Sequence, residues 1–461
     1  MSQTRGNLHF VGIGGIGMSA IARILLARGQ SVSGSDLRET PLTLKMREAG
    51  ATISIGHAAE NIRGASALVV SSAIDQANPE YRAAKASGIP IWKRGEMLAT
   101  LMRDRRGIAI CGTHGKTTTT AMLATVLDDG GIDASLVLGG IAKNTGTNAH
   151  DGNSPWFLTE ADESDGSFAL LDPKIAVVTN LENDHIASDD ELPRLVSAFD
   201  EFLNKLPEDG LAVIGSDNPR SASLARSTRR AQTQTFGLDG SADIHAANIV
   251  FAELGSSFDV IVADSCLGRV GLQVPGLINI CNSLAAVAVG RELEIPFVQI
   301  ARGLAAFAGV GRRFDILART PRLIVVDDYA HHPTAVRATI AAARRYHSGP
   351  IVVAFQPHRY TRTAYLANEF ASALQDADMV FLAPVYAAAE APIPGISERS
   401  IGEPLRRLGA QVEYLHSLEA LPETILDRAP RGSLALILGA GNITTMAGRL
   451  ARAVDAIEVG A

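Results

Sequence analysis

Gly112-Thr-His-Gly-Lys-Thr-Thr-Thr119 follows directly on the apolar run Ile-Ala-Ile-Cys at 108–111. A buried strand that enters a glycine turn and then a helix opening on Lys-Thr is a phosphate cradle. The glycines let backbone N–H groups close on phosphate oxygens. Lys116 brings a point charge to the β/γ-phosphates of a bound nucleotide, and the Thr117 hydroxyl is placed to ligate Mg²⁺. The helix that begins there aims its positive end at the anion. Only Thr113 and His114 separate the two glycines, so the loop is shorter than the usual G-x-x-x-x-G-K-[ST] spacing. An ordinary strand-to-helix turn has few structural reasons to carry Gly-Lys-Thr. The residues expected around ATP are therefore Gly112, Thr113, His114, Gly115, Lys116, Thr117 and Thr118.

Around this loop, short apolar runs alternate with helical patterns along the whole chain. That arrangement predicts an α/β protein with largely parallel sheets. A first unit has a strand at 8–12, a helix from about 17 to 28, a strand at 31–36 and another at 67–71. The charge-rich stretch 102–107 reads as a linker. A second unit contains the phosphate loop and strands near 157–160 and 175–179, and 243–273 reads as short β segments of mixed polarity. A third unit has strands at 323–327, 351–355, 379–383 and 434–439, each apolar and followed by turn residues.

Gly12-Ile-Gly-Gly-Ile-Gly17 satisfies G-x-G-x-x-G at a strand-to-helix turn, and Asp36 closes the next strand. Alone, this is the dinucleotide fingerprint, and an NAD(P)-dependent oxidoreductase or regulator is the corresponding reading. The physics requires only a pyrophosphate on a helix N-terminus and a carboxylate near a sugar or base. A UDP-sugar offers the same groups, and no hydride-transfer site is visible elsewhere in the chain.

Thr159-Glu-Ala-Asp-Glu-Ser-Asp165 gathers four carboxylates after a strand. Such crowding is costly unless a cation neutralises it, and beside a phosphate loop Mg²⁺ is the natural partner, whereas a solvated acidic loop would need none. Thr179-Asn-Leu-Glu-Asn-Asp-His185 puts Glu182 and His185 at the carboxyl end of the same sheet, where open α/β sheets collect ligands. In the third unit 326–333, 355–362 and the turn Gly439-Ala-Gly-Asn442 likewise place His, Arg and glycine just past strands. His358, Arg359 and Arg362 can grip a phosphate or carboxylate.

The chain has 461 residues, a net charge of −7 and 46% apolar residues, enough for roughly three domains. No Lys/Arg cluster stands out, so nucleic-acid binding is not expected. No apolar run reaches the roughly 18 residues of a membrane span, and the N-terminal stretch lacks a signal-peptide core. Cys111, Cys266 and Cys281 are far apart with no metal-ligand spacing, and read as buried free thiols of a soluble, cytoplasmic protein.

Taken together, VGIGGIGMS (11–19), GTHGKTTT (112–119), EADESD (160–165), TNLENDH (179–185), GVGRRFD (309–315), DDYAHHPT (327–334) and FQPHRYTRT (355–363) closely resemble the Mur ligases over essentially the whole chain. Within that family the resemblance is to the branch that adds L-alanine to UDP-N-acetylmuramate. The enzyme that attaches an intact tripeptide during cell-wall recycling is the nearest alternative. The resemblance implies three domains: a Rossmann-like UDP-sugar domain at 1–104, a central ATP-binding ligase domain at 105–315, and a Rossmann-like C-terminal domain at 316–461 that closes over the site. It implies ATP-dependent amide formation through an acyl phosphate, in peptidoglycan precursor synthesis. It also implies ATP and Mg²⁺ (or Mn²⁺) as cofactors, and a monomer or weak dimer.

By the same resemblance, Lys116, Glu160, His185, Arg313 and Asp328 carry the chemistry. Thr117, Glu160 and His185 form the metal set. Asn279, Asn282 and Arg313 join the ATP site. Gly12, Gly14, Gly15, Gly17, Met18, Ser35, Asp36, Ser71 and Ser72 take the UDP-sugar, and His331, His358 and Arg359 line the mouth where the amino acid arrives. Three positions depart from the family pattern: Ile-Ala-Ser at 186–188, where an aspartate is common, Pro384, where an aspartate is frequent, and Ile278, where a histidine is frequent.

Overall fold

The computed structural model describes residues 6–163, 166–182, 191–252 and 254–459. Three sheets follow one another along the chain. The first has five parallel strands in the order Thr52–Ile55, Val32–Asp36, Asn7–Val11, Ala65–Val70, Ile91–Lys93. Strand order reverses on either side of Asn7–Val11, so a crevice opens at that strand's carboxyl end. The turn from Gly12 to Gly15 sits there. The following helix, Ile16–Ala27, buries Met18, Ile21, Ile24 and Leu25 in one cluster with Leu8 and Phe10 of the central strand.

The second sheet has ten strands. Its parallel centre runs Leu211–Gly215, Ile175–Val178, Arg106–Cys111, Trp156–Glu160 and Ser135–Ala142, with Gln232–Gly237 parallel beyond Leu211–Gly215. Ile244–Phe251 is parallel beyond Gln232–Gly237, and antiparallel strands extend both ends: Thr147–His150 at one, and Ser256–Val262 with Ser265–Leu272 at the other. The mixed polarity of residues 243–273 has its explanation here. Burial alternates along Ser256–Val262, as in a sheet covered on one face, whereas Arg106–Cys111 is buried from Gly107 onward. The helix after the phosphate loop, Lys116–Asp129, is clamped between the sheet and the helices Leu277–Glu292 and Phe297–Ala306. Its Met122, Leu123, Val126 and Leu127 share a cluster with Ile108, Ile110, Leu284 and Ile300.

The third sheet orders its strands Asp315–Arg319, Leu323–Asp328, Ser433–Leu438, Ile351–Phe355, Met379–Leu382, Val412–Tyr414, parallel except for the first. Ile351, Val353 and Phe355 face one hydrophobic cluster, and Val352 and Ala354 face another. This is the two-residue period of a strand covered by helices on both sides.

The first unit docks on the second through polar anchors. Arg28 forks onto Asp151 at 2.8–3.1 Å, and the Asn148 amide donates to Ile16 O and Ser19 Oγ at 2.7 and 2.9 Å. Among the described residues, no helix is long and apolar enough to cross a membrane. The expectation of three buried thiols holds for Cys111 alone. Cys281 is half-buried, and Cys266 is exposed because it lies on the outermost strand of the second sheet.

One buried polar knot supports the first sheet. Glu80, in the helix Pro79–Ala86, is fully buried. It accepts hydrogen bonds from Ser35 Oγ and Asn61 Nδ2, both at 2.6 Å, with His57 Nδ1 at 3.3 Å and His9 Nε2 at 3.8 Å. Burial pushes the Glu80 carboxyl up. The contacts with His9, Ser35 and Asn61 and the charge of His9 outweigh it and bring the pKa from 4.5 down to about 2. A carboxyl depressed on folding stabilises above its unfolded pKa and loses that contribution as pH falls toward the folded one. Glu80→Gln is therefore expected to cost roughly 3 kcal/mol at neutral pH. The gap to wild type should narrow as pH is lowered from about 5 to about 3. Urea unfolding followed by circular dichroism across that range checks it. A gap that does not change with pH would reduce Glu80 to a space-filling role.

Candidate active site

At the carboxyl end of Arg106–Cys111 three segments converge: the phosphate loop, the end of Trp156–Glu160, and the crossing at 310–315 into the third sheet. The loop needs its glycines. Gly115, the N-cap of Lys116–Asp129, has φ +85°, and a Cβ there would stand 2.5 Å from Asn282 Oδ1. Gly112 has φ +115°, and a Cβ would stand 2.4 Å from Thr179 Oγ1. Both backbones are left-handed, where side chains are strained. The loop is tied down from the neighbouring strand. Thr113 N–H donates to Asn180 O at 3.1 Å and His114 N–H to Asn180 Oδ1 at 2.9 Å, while Thr179 Oγ1 and Asn180 Nδ2 donate to His114 O at 2.6 and 3.0 Å. The N–H groups of Thr113 and His114 are thus spent on Asn180. Those of Lys116, Thr117 and Thr118, in a first turn that a helix cannot satisfy internally, remain for an anion.

Lys116 folds back over the loop. Its Nζ donates to Gly112 O at 2.6 Å and to Glu163 Oε1 and Oε2 at 3.0 and 2.8 Å. Burial favours the neutral amine, but Glu163, Asp162 and Glu160 hold its pKa above the ordinary lysine value. Burial raises Glu163 as well, with Lys116 opposing. Thr117 Oγ1 donates to Glu160 Oε2 at 2.9 Å, and Gly139 N–H donates to Glu160 Oε1 at 2.5 Å. Burial raises the Glu160 carboxyl against the pull of Gly139, Thr117, Lys116 and Arg313. The hydroxyl and carboxylate oxygens that face each other here are the hard donors that Mg²⁺ prefers, so the residues present fit that ion. His185, the third expected metal ligand, lies outside the described residues.

Arg313 approaches from the crossing, with Nη2 3.5 Å from Thr117 Oγ1. Its guanidinium lies 4.9 Å from the centre of the Tyr329 ring, and that of Arg312 lies 4.8 Å from it. Asp328 is buried, and both its oxygens are committed to backbone: Phe314 N–H at 2.6 Å and Ala330 N–H at 2.7 Å. Burial raises its pKa, against the charge of Arg313 and these two N–H groups. Asp328 thus fastens the segment that carries Arg313. Asn282 is buried against Gly115, and its amide donates to Asn279 Oδ1 at 3.2 Å.

In the first unit, Asp36 Oδ2 accepts from Gly14 N–H at 2.9 Å, so the carboxylate expected near the ligand also holds the glycine turn. Gly15 is the N-cap of Ile16–Ala27 with no side-chain cap, which leaves that helix end open to an anion. Met18 is buried beneath it, and the Ser35 hydroxyl is spent on Glu80. Gly12 is left-handed at φ +76°, while Ser71 and Ser72 follow the strand Ala65–Val70. Arg94 stands over Gly17, where a Cβ would meet its side chain at 3.4 Å, and lies 3.7 Å from Asp162 of the second unit.

On the third unit, His331 makes edge contacts with Tyr329 and His358, and His358 stacks on Tyr386 with centroids 5.5 Å apart. Arg359, at φ +71°, caps the short helix Tyr360–Tyr365. Sequence reading had not singled out Asn180, Gly139 or Arg94. A Thr-Asn pair closing the strand next to a phosphate loop was the available signal for Asn180. Gly139 and Arg94 depend on tertiary approach and have no local signature.

The family model described as "Mur ligase family, catalytic domain" matches residues 7–106, "Mur ligase middle domain" matches 110–290, and "Mur ligase, glutamate ligase domain" matches 312–441. The UDP-N-acetylmuramate–L-alanine ligase of Geotalea uraniireducens is 46% identical over 437 residues, 95% of each chain. That of Solibacter usitatus is 45% identical, covering 95% of this chain and 93% of its own. The solved UDP-N-acetylmuramate–alanine ligase of Thermotoga maritima superposes with a TM-score of 0.85 at 30% identity, over 98% of this chain and all of that one. The murein peptide ligase of Psychrobacter arcticus shares the fold, with a TM-score of 0.76 at 24% identity over 97% and 98% of the two chains. With all three family models in order along it and relatives this similar over nearly its full length, the chain belongs to the Mur ligase family.

Proposed function

We propose that this protein is an ATP-dependent ligase that joins L-alanine to the lactyl carboxylate of UDP-N-acetylmuramate. The observation that carries the reading is the meeting of Lys116, Thr117, Glu160 and Arg313 at one sheet end, supported by the long matches to L-alanine-adding relatives. In the first step the substrate carboxylate attacks the γ-phosphorus of ATP, and ADP leaves with an acyl phosphate formed. In the second the amine of L-alanine attacks the acyl carbon, loses a proton, and phosphate departs.

This chemistry demands positioning and neutralisation of charge more than a nucleophile. Lys116 exchanges Glu163 for phosphate oxygens, and Arg313 brings a second positive charge beside Thr117. Thr117 and Glu160, with His185, are the residues that would hold Mg²⁺, which supplies charge neutralisation between the phosphates. The helix end at Gly15 and the turn from Gly12 receive the UDP pyrophosphate. Ser71 and Ser72 border the same crevice. His331, His358 and Arg359 face the arriving amino acid, and Asp328 acts as a positioning residue for Arg313.

The direct test is phosphate release with ATP, UDP-N-acetylmuramate and a panel of amino acids. L-alanine should turn over fastest. Turnover with an intact tripeptide in place of alanine would move the chain to the recycling branch, and calorimetric heat with NAD in place of the UDP-sugar would overturn the assignment of the first glycine motif. Lys116→Ala should lower phosphate release by at least about 100-fold, roughly 2.7 kcal/mol of transition-state stabilisation. Its UDP-N-acetylmuramate affinity should change little, because the two nucleotides occupy different sheets. Retention of more than about a tenth of wild-type turnover would refute this ATP site. Glu160→Gln should raise the Mg²⁺ needed for half activity about tenfold or more, with partial rescue by Mn²⁺. An unshifted Mg²⁺ titration would leave Glu160 as a cap for Thr117 and Gly139 only.

A further inference from the structure

Beside the phosphate loop, but apart from the Thr117–Glu160 pair, three side chains from three segments meet. His114 comes from the loop, Glu182 from just beyond the strand Ile175–Val178, and His332 from the N-cap of the helix Pro333–Tyr346. His114 Nε2 lies 3.4 Å from Glu182 Oε2, long for a hydrogen bond, and His332 Nδ1 lies 4.0 Å from the same oxygen. One ligand atom from each residue falls within 4.8 Å of the others. The two imidazole rings stand 5.2 Å apart at 34°. All three side chains are largely covered, at 11, 23 and 8% exposure.

Two imidazoles and one carboxylate are the protein donors of an open tetrahedral transition-metal site, whose fourth ligand is a water. Metal–ligand bonds of about 2.0–2.1 Å put neighbouring ligands about 3.3–3.4 Å apart, which is the separation of His114 from Glu182. His332 needs to close by roughly 0.6 Å on Glu182, and by no more than about 1.4 Å on His114, to complete the set. Mg²⁺ prefers all-oxygen octahedra and does not suit two nitrogens, so this cluster and the Thr117–Glu160 pair select different ions. We propose that His114, Glu182 and His332 form a transition-metal site, of the chemistry that takes Zn²⁺, bridging the central and C-terminal units.

His114 and Glu182 belong to the second sheet's loops, whereas His332 belongs to the third unit, beyond the crossing at 310–315. A metal bound here fastens the third unit against the phosphate loop. Zn²⁺ then opposes any motion that separates the two units, and it is an inhibitor of a reaction that needs such motion for product release.

The test uses the full chain, stripped with chelator and free of nucleotide. Zn²⁺ is titrated by calorimetry in an excess of Mg²⁺. One Zn²⁺ per chain should bind with a dissociation constant of about 10 µM or tighter, and His332→Gln and Glu182→Gln should each weaken it about tenfold or more. One equivalent of Zn²⁺ should also raise the unfolding temperature of wild type but not of His332→Gln. Circular dichroism of the metal-free variants establishes that each is folded, and His332→Gln decides the matter if Glu182→Gln is not. Absence of binding below about 100 µM, or equal affinity in wild type and His332→Gln, would overturn the site. The inhibition arm, in which Zn²⁺ slows phosphate release at lower concentration in wild type than in His332→Gln, rests on the proposed activity. The binding arm does not, so the two readings fail separately.

Discussion

Ile110 pairs with Glu160 and Cys111 with Val178 in the parallel centre of the second sheet. That register is the constraint on which the rest of the site depends. It ends three strands at one level, so that the phosphate loop, the acidic run after Trp156–Glu160 and the Thr179-Asn180 pair leave the sheet side by side. Shifting one strand by a single residue would turn Glu160 to the opposite face of the sheet and break its bond to Thr117. The register is itself held by burial. Ile108, Ile110, Leu158, Ile175 and Val177 lie in one closed cluster, with Ala109, Phe157 and Ala176 on the other side of the sheet. Apolar packing of no chemical interest therefore fixes where the charged groups stand.

The charged groups in turn are arranged for a ligand more than for one another. Glu163 is buried and Glu160 half-buried, burial raises the pKa of both, and each is held by a cation or a donor that a nucleotide would reclaim. Lys116 is held by Glu163 and by carbonyls of its own loop. Burying such a set is expensive without compensation. Here the compensation is mutual, and a nucleotide with its divalent ion would take the place of these partners one for another. A pocket built this way has its transition-state dipoles in place before substrate arrives.

Much of this could be read in the residues. The phosphate loop, the acidic run and the strand-ending polar motifs are local: a few consecutive residues of unusual type at a strand end. They gave the α/β organisation, and the structure brings Lys116, Thr117, Glu160 and Arg313 together. What was not legible depends on approach between distant segments. Gly139 faces Glu160 only because Ser135–Ala142 lies beside Trp156–Glu160 in the register that pairs Val137 with Thr159. Arg94 meets Asp162 only because the first unit docks on the second. Cys266 was misjudged because an apolar or small-residue setting does not distinguish a core strand from an edge strand. Ser35 is assigned to the UDP-sugar by the family resemblance alone, and nothing local signals that its hydroxyl donates to Glu80, a partner 45 residues away.

The crossing between the second and third units shows how backbone and site are coupled. Arg312 and Phe314 both have positive φ, 62° and 46°, on either side of Arg313. Neither is glycine, so each conformation costs on the order of 1 kcal/mol or more. The surroundings hold it there. Phe314 N–H is bound by Asp328, Arg312 O accepts from Tyr329 N–H at 2.8 Å, and the Arg312 guanidinium donates to Gly439 O at 2.7 Å. Every one of these fasteners belongs to the third unit. The strained form that points Arg313 at Thr117 is therefore held from the third unit, while Gly311 N–H, bound to Ile141 O at 2.9 Å, ties the same segment to the second sheet. The guanidinium beside the phosphate loop thus owes its position to both units at once.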